Sequence, residues 1–105
     1  MSTLTIKMEI PYAEDVKITS DELNVDLSDG RSVSVPLAWF PRLVHSTDEE
    51  RNHWRLIGKG SGIHWEDVDE DISIEGLLVG RPSSESQSSL QKWLEQRQAQ
   101  RSSTY

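Results

Sequence analysis

The stretch EDVKITSDELNVDLSDGRSVSVP, residues 14–36, decides the fold because apolar and polar residues alternate along most of it. A period of two places one face of a strand against a core and leaves the other face in water. Asp29-Gly30 is a strong hairpin signal, since glycine adopts a left-handed backbone without steric cost. We therefore predict an antiparallel meander of three strands over residues 14–19, 22–28 and 31–36.

A capped helix is predicted after the meander. Ser46 and Thr47 can each cap a helix, and the acids at positions 48–50 suit a capping box and the positive end of the helix dipole. We place this helix over residues 47–55, with Trp54 facing the core.

The segments up to residue 80 predict shorter elements. GKGSG at 58–62 predicts a flexible turn between helix and strand, because it lacks the spacing of a phosphate-binding loop. Residues 63–65 should be extended, 72–74 should form a strand or a helix entry, and 75–78 a last short turn. The expected fold is a small α+β core domain over residues 14–80, with the meander packed against short helices.

The two ends of the chain differ from this core domain. Residues 1–13 predict a leader or a short strand, from the alternation of Leu4, Ile6, Met8 and Ile10. Residues 81–105 predict a linker and a C-terminal amphipathic helix over 85–101 with a frayed end. Four side chains share one narrow side of that helix at helical spacing: Leu90, Trp93, Leu94 and Arg97. This side could dock on the body, form a dimer or wait for a partner.

Composition excludes several functions. The 105 residues contain no Cys, so there is no disulfide framework, thiol nucleophile or Cys-ligated zinc. No apolar run approaches the ~20 residues that span a bilayer, and no signal peptide is visible, so we expect a cytoplasmic protein without membrane contact. The net charge is −7, and residues 1–80 hold 16 of the 18 acidic residues. We therefore expect no direct contact with nucleic acid. The acidic charge would favour a basic partner, but solubility alone is the main explanation for it.

The acidic run at residues 66–71 is a candidate for chemistry. Asp67, Asp69 and Asp71 alternate after His64, and carboxylate oxygens can hold a hard cation. The run lacks the glycine and glutamate positions of a calcium loop, so a solvated or capping loop is the main interpretation. The neighbouring acids should favour the protonated form of His64. No nucleophile–base or HExxH motif is present, so we predict a protein that is not an enzyme and needs no cofactor.

Two segments, SDGRSVSVPLAWFPRL (28–43) and ERNHWRLIGKGSGIHWEDVDEDISIEGLL (50–78), resemble bacterial domain of unknown function 2442. The resemblance extends from about Asp15 to Arg81 and includes D-G-R, P-L-x-W-F-P-R-L and G-I-H-W-x-D-x-D-E-D-I-S. The family usually has Asn where this chain has His53. The resemblance implies a small α+β domain without an established activity or catalytic residues. It also implies pairing with other small proteins in toxin–antitoxin-like gene pairs, whereas the helix-turn-helix domain of some members has no room here.

The sequence therefore predicts a non-enzymatic binding module, antitoxin-like or regulatory, whose partner is another protein that we expect to be small and basic. The candidate contacts are Leu90, Trp93, Leu94 and Arg97 on the helix, and His64, Asp67, Asp69 and Asp71 near the acidic run. One alternative is a metal- or small-ligand-dependent enzyme that uses His64, Asp67, Asp69 and Asp71. Another is a homodimer held by the tail or by an edge strand.

Overall fold

The first of two three-stranded sheets is the meander. In the computed structural model, which describes residues 9–102, it consists of β1 (Ala13–Ile18), β2 (Glu22–Leu27) and β3 (Ser32–Pro36) in that order. All pairs are antiparallel, and the turn between β2 and β3 has Gly30 at a φ of 91°. The predicted meander is confirmed. The predictions for Leu4, Ile6 and Met8, and for the frayed end beyond residue 102, lie outside the described residues.

A second antiparallel sheet contains β4 (Trp54–Ile57), β5 (Gly62–Trp65) and β6 (Glu70–Ser73). Its core-facing side carries Ile63, Trp65 and Ile72, and its other side faces solvent. The GKGSG segment joins β4 to β5 through backbone with positive φ at three successive residues, 58–60. The prediction that this turn joins a helix to a strand was therefore wrong.

The predicted helix over 47–55 is also shorter than expected. Helix α1 (Pro41–Val44) is followed by α2 (Asp48–Asn52), which has the predicted capping box between Thr47 and Glu50. The helix ends before His53, and Trp54 lies in β4 opposite Trp65 instead of on a helix. Pairing of β4 with β5 satisfies the backbone hydrogen-bonding groups from residue 54 onward. A helix of a few more residues would be less stable than this pairing, because short helices gain little free energy on their own.

Two helices complete the chain. Ser73 ends β6 and caps α3 (Ile74–Leu78) by accepting a hydrogen bond from the backbone N–H of Gly76 at 2.9 Å. Residues 72–74 therefore form the end of β6 and the beginning of α3. The C-terminal helix, α4 (Gln87–Ser102), follows a linker. The α+β class is confirmed, and none of the described helices is long and apolar enough to cross a membrane.

The hydrophobic core lies between the two sheets and the short helices. Leu23, Leu43, Ile63, Trp65 and Ile74 are each fully buried. The indole N–H of Trp65 donates to the carbonyl oxygen of Arg51 at 3.0 Å, so its burial leaves no unpaired donor. The core joins residues 13–80, hereafter the body, into a surface on which α4 can pack.

Candidate partner-binding groove

Helix α4 docks on the body through the face predicted from its spacing. Leu90, Trp93, Leu94 and Arg97 are half-buried, whereas their neighbours on the helix are exposed. The indole ring of Trp93 packs against the core, with the guanidinium carbons of Arg42 and Arg97 at 5.1 and 4.7 Å from its centroid. Cation–π contacts of this kind are stronger where the indole is partly desolvated. Of the three options that the sequence left open, α4 adopts the first.

Arg97 fastens the middle of α4 to α2. Its two Nη atoms donate to the carboxylate oxygens of Glu50 at 3.0 and 2.9 Å, and Nη2 also reaches the carbonyl oxygen of His45 at 3.4 Å. The hydrogen bonds from Arg97, supported by the backbone N–H of Thr47, lower the pKa of Glu50 from 4.5 to about 2. Glu50 therefore caps α2 and holds α4 at the same time.

Arg42 fastens the linker before α4. Its Nε lies 3.0 Å from both carboxylate oxygens of Glu85, and its Nη2 lies 2.7 Å from one of them. Its Nη1 donates to the carbonyl oxygen of Val68 at 2.9 Å. Hydrogen bonding to Arg42 lowers the pKa of Glu85, and the same contact raises the pKa of Arg42. The pair links α1, the linker and the turn after β5.

A groove of about 550 Å³ separates α4 from the acidic turn, residues 66–69. Asp67, Val68 and Asp69 line one side, and α4 contributes Ser88, Ser89, Lys92, Trp93 and Gln96 on the other, with Arg42 between them. The structure thus brings Trp93 together with Asp67 and Asp69, which the sequence predicted as partner contacts from separate segments. The two carboxylates suit a cationic side chain, although two cations, Arg42 and Lys92, line the same groove.

His64 and Asp71 lie elsewhere, on the solvent face of the second sheet. They are opposite each other on β5 and β6, with His64 Nδ1 2.5 Å from Asp71 Oδ1 and Nε2 3.2 Å from Glu66 Oε2. Hydrogen bonding to Asp71, with a further contribution from Glu66, raises the pKa of His64 above 6.5. This agrees with the expectation that nearby acids favour its protonated form. These two predicted contacts do not line the groove.

The four residues of the metal or small-ligand alternative are not gathered into one site. Asp67 Oδ2 lies 2.8 Å from His53 Nδ1, and Asp71 is bonded to His64 on the sheet face. Asp69 has a positive φ of 51° and faces the groove. Across residues 9–102, no group of three or more His, Asp or Glu side chains is arranged to hold a metal ion.

Glu70 is a residue that the sequence analysis did not single out. It is half-buried on β6, opposite Trp65, and it lines a cavity of about 200 Å³ together with Phe40 and residues 81–84. Burial raises its pKa to about 7, although the charge of Arg42 opposes the effect. The signal was present in the strand period, because Glu70 and Ile72 stand two residues apart and so share the core-facing side. Perturbed carboxyls in clefts often mark functional positions.

Fold and groove together define a small α+β domain with a helical tail docked beside an acidic turn. A family model described as a protein of unknown function, DUF2442, matches residues 13–83. The chain belongs to this family, as the motifs in the sequence indicated. No curated protein matches the chain.

Two solved structures show the same fold. A crystal structure of a protein of unknown function from Rhodospirillum rubrum is 28% identical, with a TM-score of 0.62, over 71% of this chain and 93% of that one. A solution NMR structure of an uncharacterised protein from Chromobacterium violaceum is 23% identical, with a TM-score of 0.60, over 82% of this chain and 75% of that one. Neither description assigns an activity.

Proposed function

We propose that this protein is a non-enzymatic, cytoplasmic protein-binding module that acts as an antitoxin-like or regulatory partner of another small, basic protein. The observation that carries the proposal is the groove, in which Trp93 of α4 faces Asp67 and Asp69 of the acidic turn. The antitoxin-like part comes from the family resemblance, which implies pairing with other small proteins in toxin–antitoxin-like gene pairs.

The carboxylates of the groove are the feature that favours a basic partner. Among the described residues Asp69 makes no ion pair and Asp67 pairs with the exposed His53, although Lys92 lines the same groove. Arg42 lies between the two sides of the groove but is already bonded to Glu85, so much of its charge is offset. A lysine or arginine of a partner that enters here meets the carboxylates of Asp67 and Asp69, while the ring of Trp93 already carries the guanidinium groups of Arg42 and Arg97.

The other predicted contacts fit this proposal in different ways. Leu90, Leu94 and Arg97 lie on the docked face of α4 and become available only if the helix moves. His64 and Asp71 lie on the outer face of the second sheet, where they could contact only a partner large enough to extend beyond the groove. Direct contact with nucleic acid is not part of the proposal, since the acidic body repels phosphates.

Affinity capture from the native host, read by mass spectrometry, tests the proposal. The tagged full chain is compared with Asp67→Asn/Asp69→Asn, which removes the groove carboxylates; Asn also tolerates the positive φ at position 69. The matched control is Asp15→Asn/Asp26→Asn, which removes two exposed carboxylates from the first sheet, where neither lines the groove.

We expect the wild-type chain and the control to retain a stoichiometric small basic protein that the groove variant loses. Equal recovery by all three chains would place the contact elsewhere, and an empty capture from all three would contradict the protein-partner proposal. Recovery of the chain itself as the sole partner would support the homodimer instead.

A further inference from the structure

Helix α4 is bound to the body by a shallow contact. None of residues 87–100 is fully buried, and the half-buried ones lie on the single face that carries Trp93 and Arg97. A core-forming helix would bury several apolar side chains completely, because burial of apolar surface supplies most of its packing energy. The docked helix therefore packs on the surface of the body, as a separate peptide would, and is not part of the hydrophobic core.

The body surface under α4 is built to receive a guanidinium. Thr47 donates its backbone N–H to Glu50 Oε1 at 2.8 Å, so the capping box fixes this carboxylate independently of α4. Both carboxylate oxygens of Glu50 also accept hydrogen bonds from Arg97. The side chains of Arg97 and Glu50 are only 15% and 20% exposed. A bidentate, partly desolvated contact of this type selects arginine over lysine.

Charge and chain geometry both allow α4 to be exchanged. Residues 81–105 contain four of the 11 basic residues and two of the 18 acidic ones, so a basic segment sits on an acidic body. The linker of residues 79–86 is held to the body by the ion pair between Arg42 and Glu85, just before the first residue of α4. The helix can therefore swing away about residue 86 without unfolding the sheets.

We infer that the body surface around Glu50 and Arg42 is a docking site for a basic helix that carries an aromatic residue and an arginine four positions later. In the isolated chain α4 occupies this site, and the corresponding helix of the partner displaces it. The displaced α4 then offers Leu90, Trp93 and Leu94 as anchors. When the partner's helix docks in place of α4, the aromatic residue of that helix takes the position of Trp93 beside the acidic turn, so the groove and the docking site form one surface.

The inference deepens the proposed function and rests on it for the existence of a partner, but the docking site can be tested without one. The probe is a synthetic peptide of residues 86–100, titrated by NMR into three full-length chains. These are the wild type, Trp93→Ala/Arg97→Ala, and the same double variant with Glu50→Gln. The double variant keeps the body intact while its own helix loses its two main contacts.

We expect the peptide to bind the double variant at least tenfold more tightly than the wild type. The reason is that the wild-type helix competes from an effective concentration in the millimolar range. Adding Glu50→Gln should remove the gain, and a peptide with Arg97→Lys should bind more weakly because the bidentate contact is lost. A matched control, Glu22→Gln in the double variant, changes an exposed carboxylate on the first sheet and should leave peptide binding unchanged.

Equal peptide affinity for the wild type and the double variant would overturn the inference, as would insensitivity to Glu50→Gln. Sedimentation of the wild type as a dimer with exchanged helices would assign the site to a second copy and overturn the partner assignment. Peptide exchange that succeeds while capture from the host fails would contradict the proposed partner and leave the docking site standing. Backbone NMR spectra confirm that each variant is folded before the comparison is made.

Discussion

Glu70→Gln should stabilise the protein at alkaline pH and have almost no effect at acidic pH. Glu70 is half-buried on the core-facing side of β6, and burial raises its pKa from 4.5 to about 7. In the unfolded chain the carboxyl group ionises at its ordinary pKa, whereas in the folded protein it keeps its proton longer. The free energy of unfolding therefore falls as pH rises from about 4.5 to about 7 and then levels off.

The size of the effect follows from the pKa values. Each pKa unit corresponds to about 1.4 kcal/mol, so the full penalty for ionising Glu70 is about 3 kcal/mol. Solvent contact reduces what a measurement recovers, and we expect a gain of about 1–2 kcal/mol for Glu70→Gln above pH 8. The glutamine resembles the protonated carboxyl group in shape, so the two proteins should be nearly equal at about pH 4.5.

Urea unfolding followed by tryptophan fluorescence, at a series of pH values, measures this difference directly. Glu22→Gln is the matched control: Glu22 is exposed on the first sheet, and its replacement should change stability little at any pH. A Glu70→Gln stability difference that stays constant from pH 4.5 to pH 9 would refute the reasoning, since the penalty would then not come from ionisation.

Two further predictions concern His64 and the acidic turn. His64→Gln should lower the melting temperature more at about pH 5 than at about pH 9: the imidazolium bridge to Asp71 and Glu66 is fully formed below 6.5 and is lost as pH rises through the raised pKa. Equal losses at both pH values would contradict this bridge. Calcium, magnesium, manganese and zinc should each leave the melting temperature unchanged, because a cation bound to the folded state would raise it. A rise that Asp69→Asn abolishes would instead support the metal alternative.

The meander was predictable because its information is local. Val16, Leu23, Val25 and Val35 alternate with polar residues, and Asp29-Gly30 dictates the turn between β2 and β3. The second sheet was not predictable in the same way. Its strands have four residues each, too few for a clear alternation of apolar and polar residues. Trp54 also comes soon after the capping box of Thr47 and Glu50, so the local sequence predicts that it belongs to the helix. Only its register opposite Trp65, a contact 11 residues away along the chain, places it in a strand.

The same distinction between local patterns and contacts of distant residues applies to the candidate site. Helical spacing predicted that Trp93 and Arg97 share one face of α4, and the acidic run predicted Asp67 and Asp69 as candidate contacts. Their juxtaposition depends on Arg42, which bonds to Glu85 and to the carbonyl oxygen of Val68 across 43 and 26 residues. No periodicity encodes such pairs, because they arise only when the two sheets and the linker have packed. The spacing between Glu70 and Ile72, by contrast, held a usable signal.

The order of strands in the two sheets has a consequence for folding kinetics. In each sheet every strand pairs with its sequence neighbour, and in each the last strand runs directly into a helical turn. Loop closure therefore involves only short segments, and a low contact order of this kind permits fast folding despite the β content. Each sheet can form independently, by addition of its third strand to a hairpin, before the two sheets pack around a common core. The contact of Arg97 with Glu50 spans 47 residues along the chain, so we expect α4 to dock after the two sheets have formed.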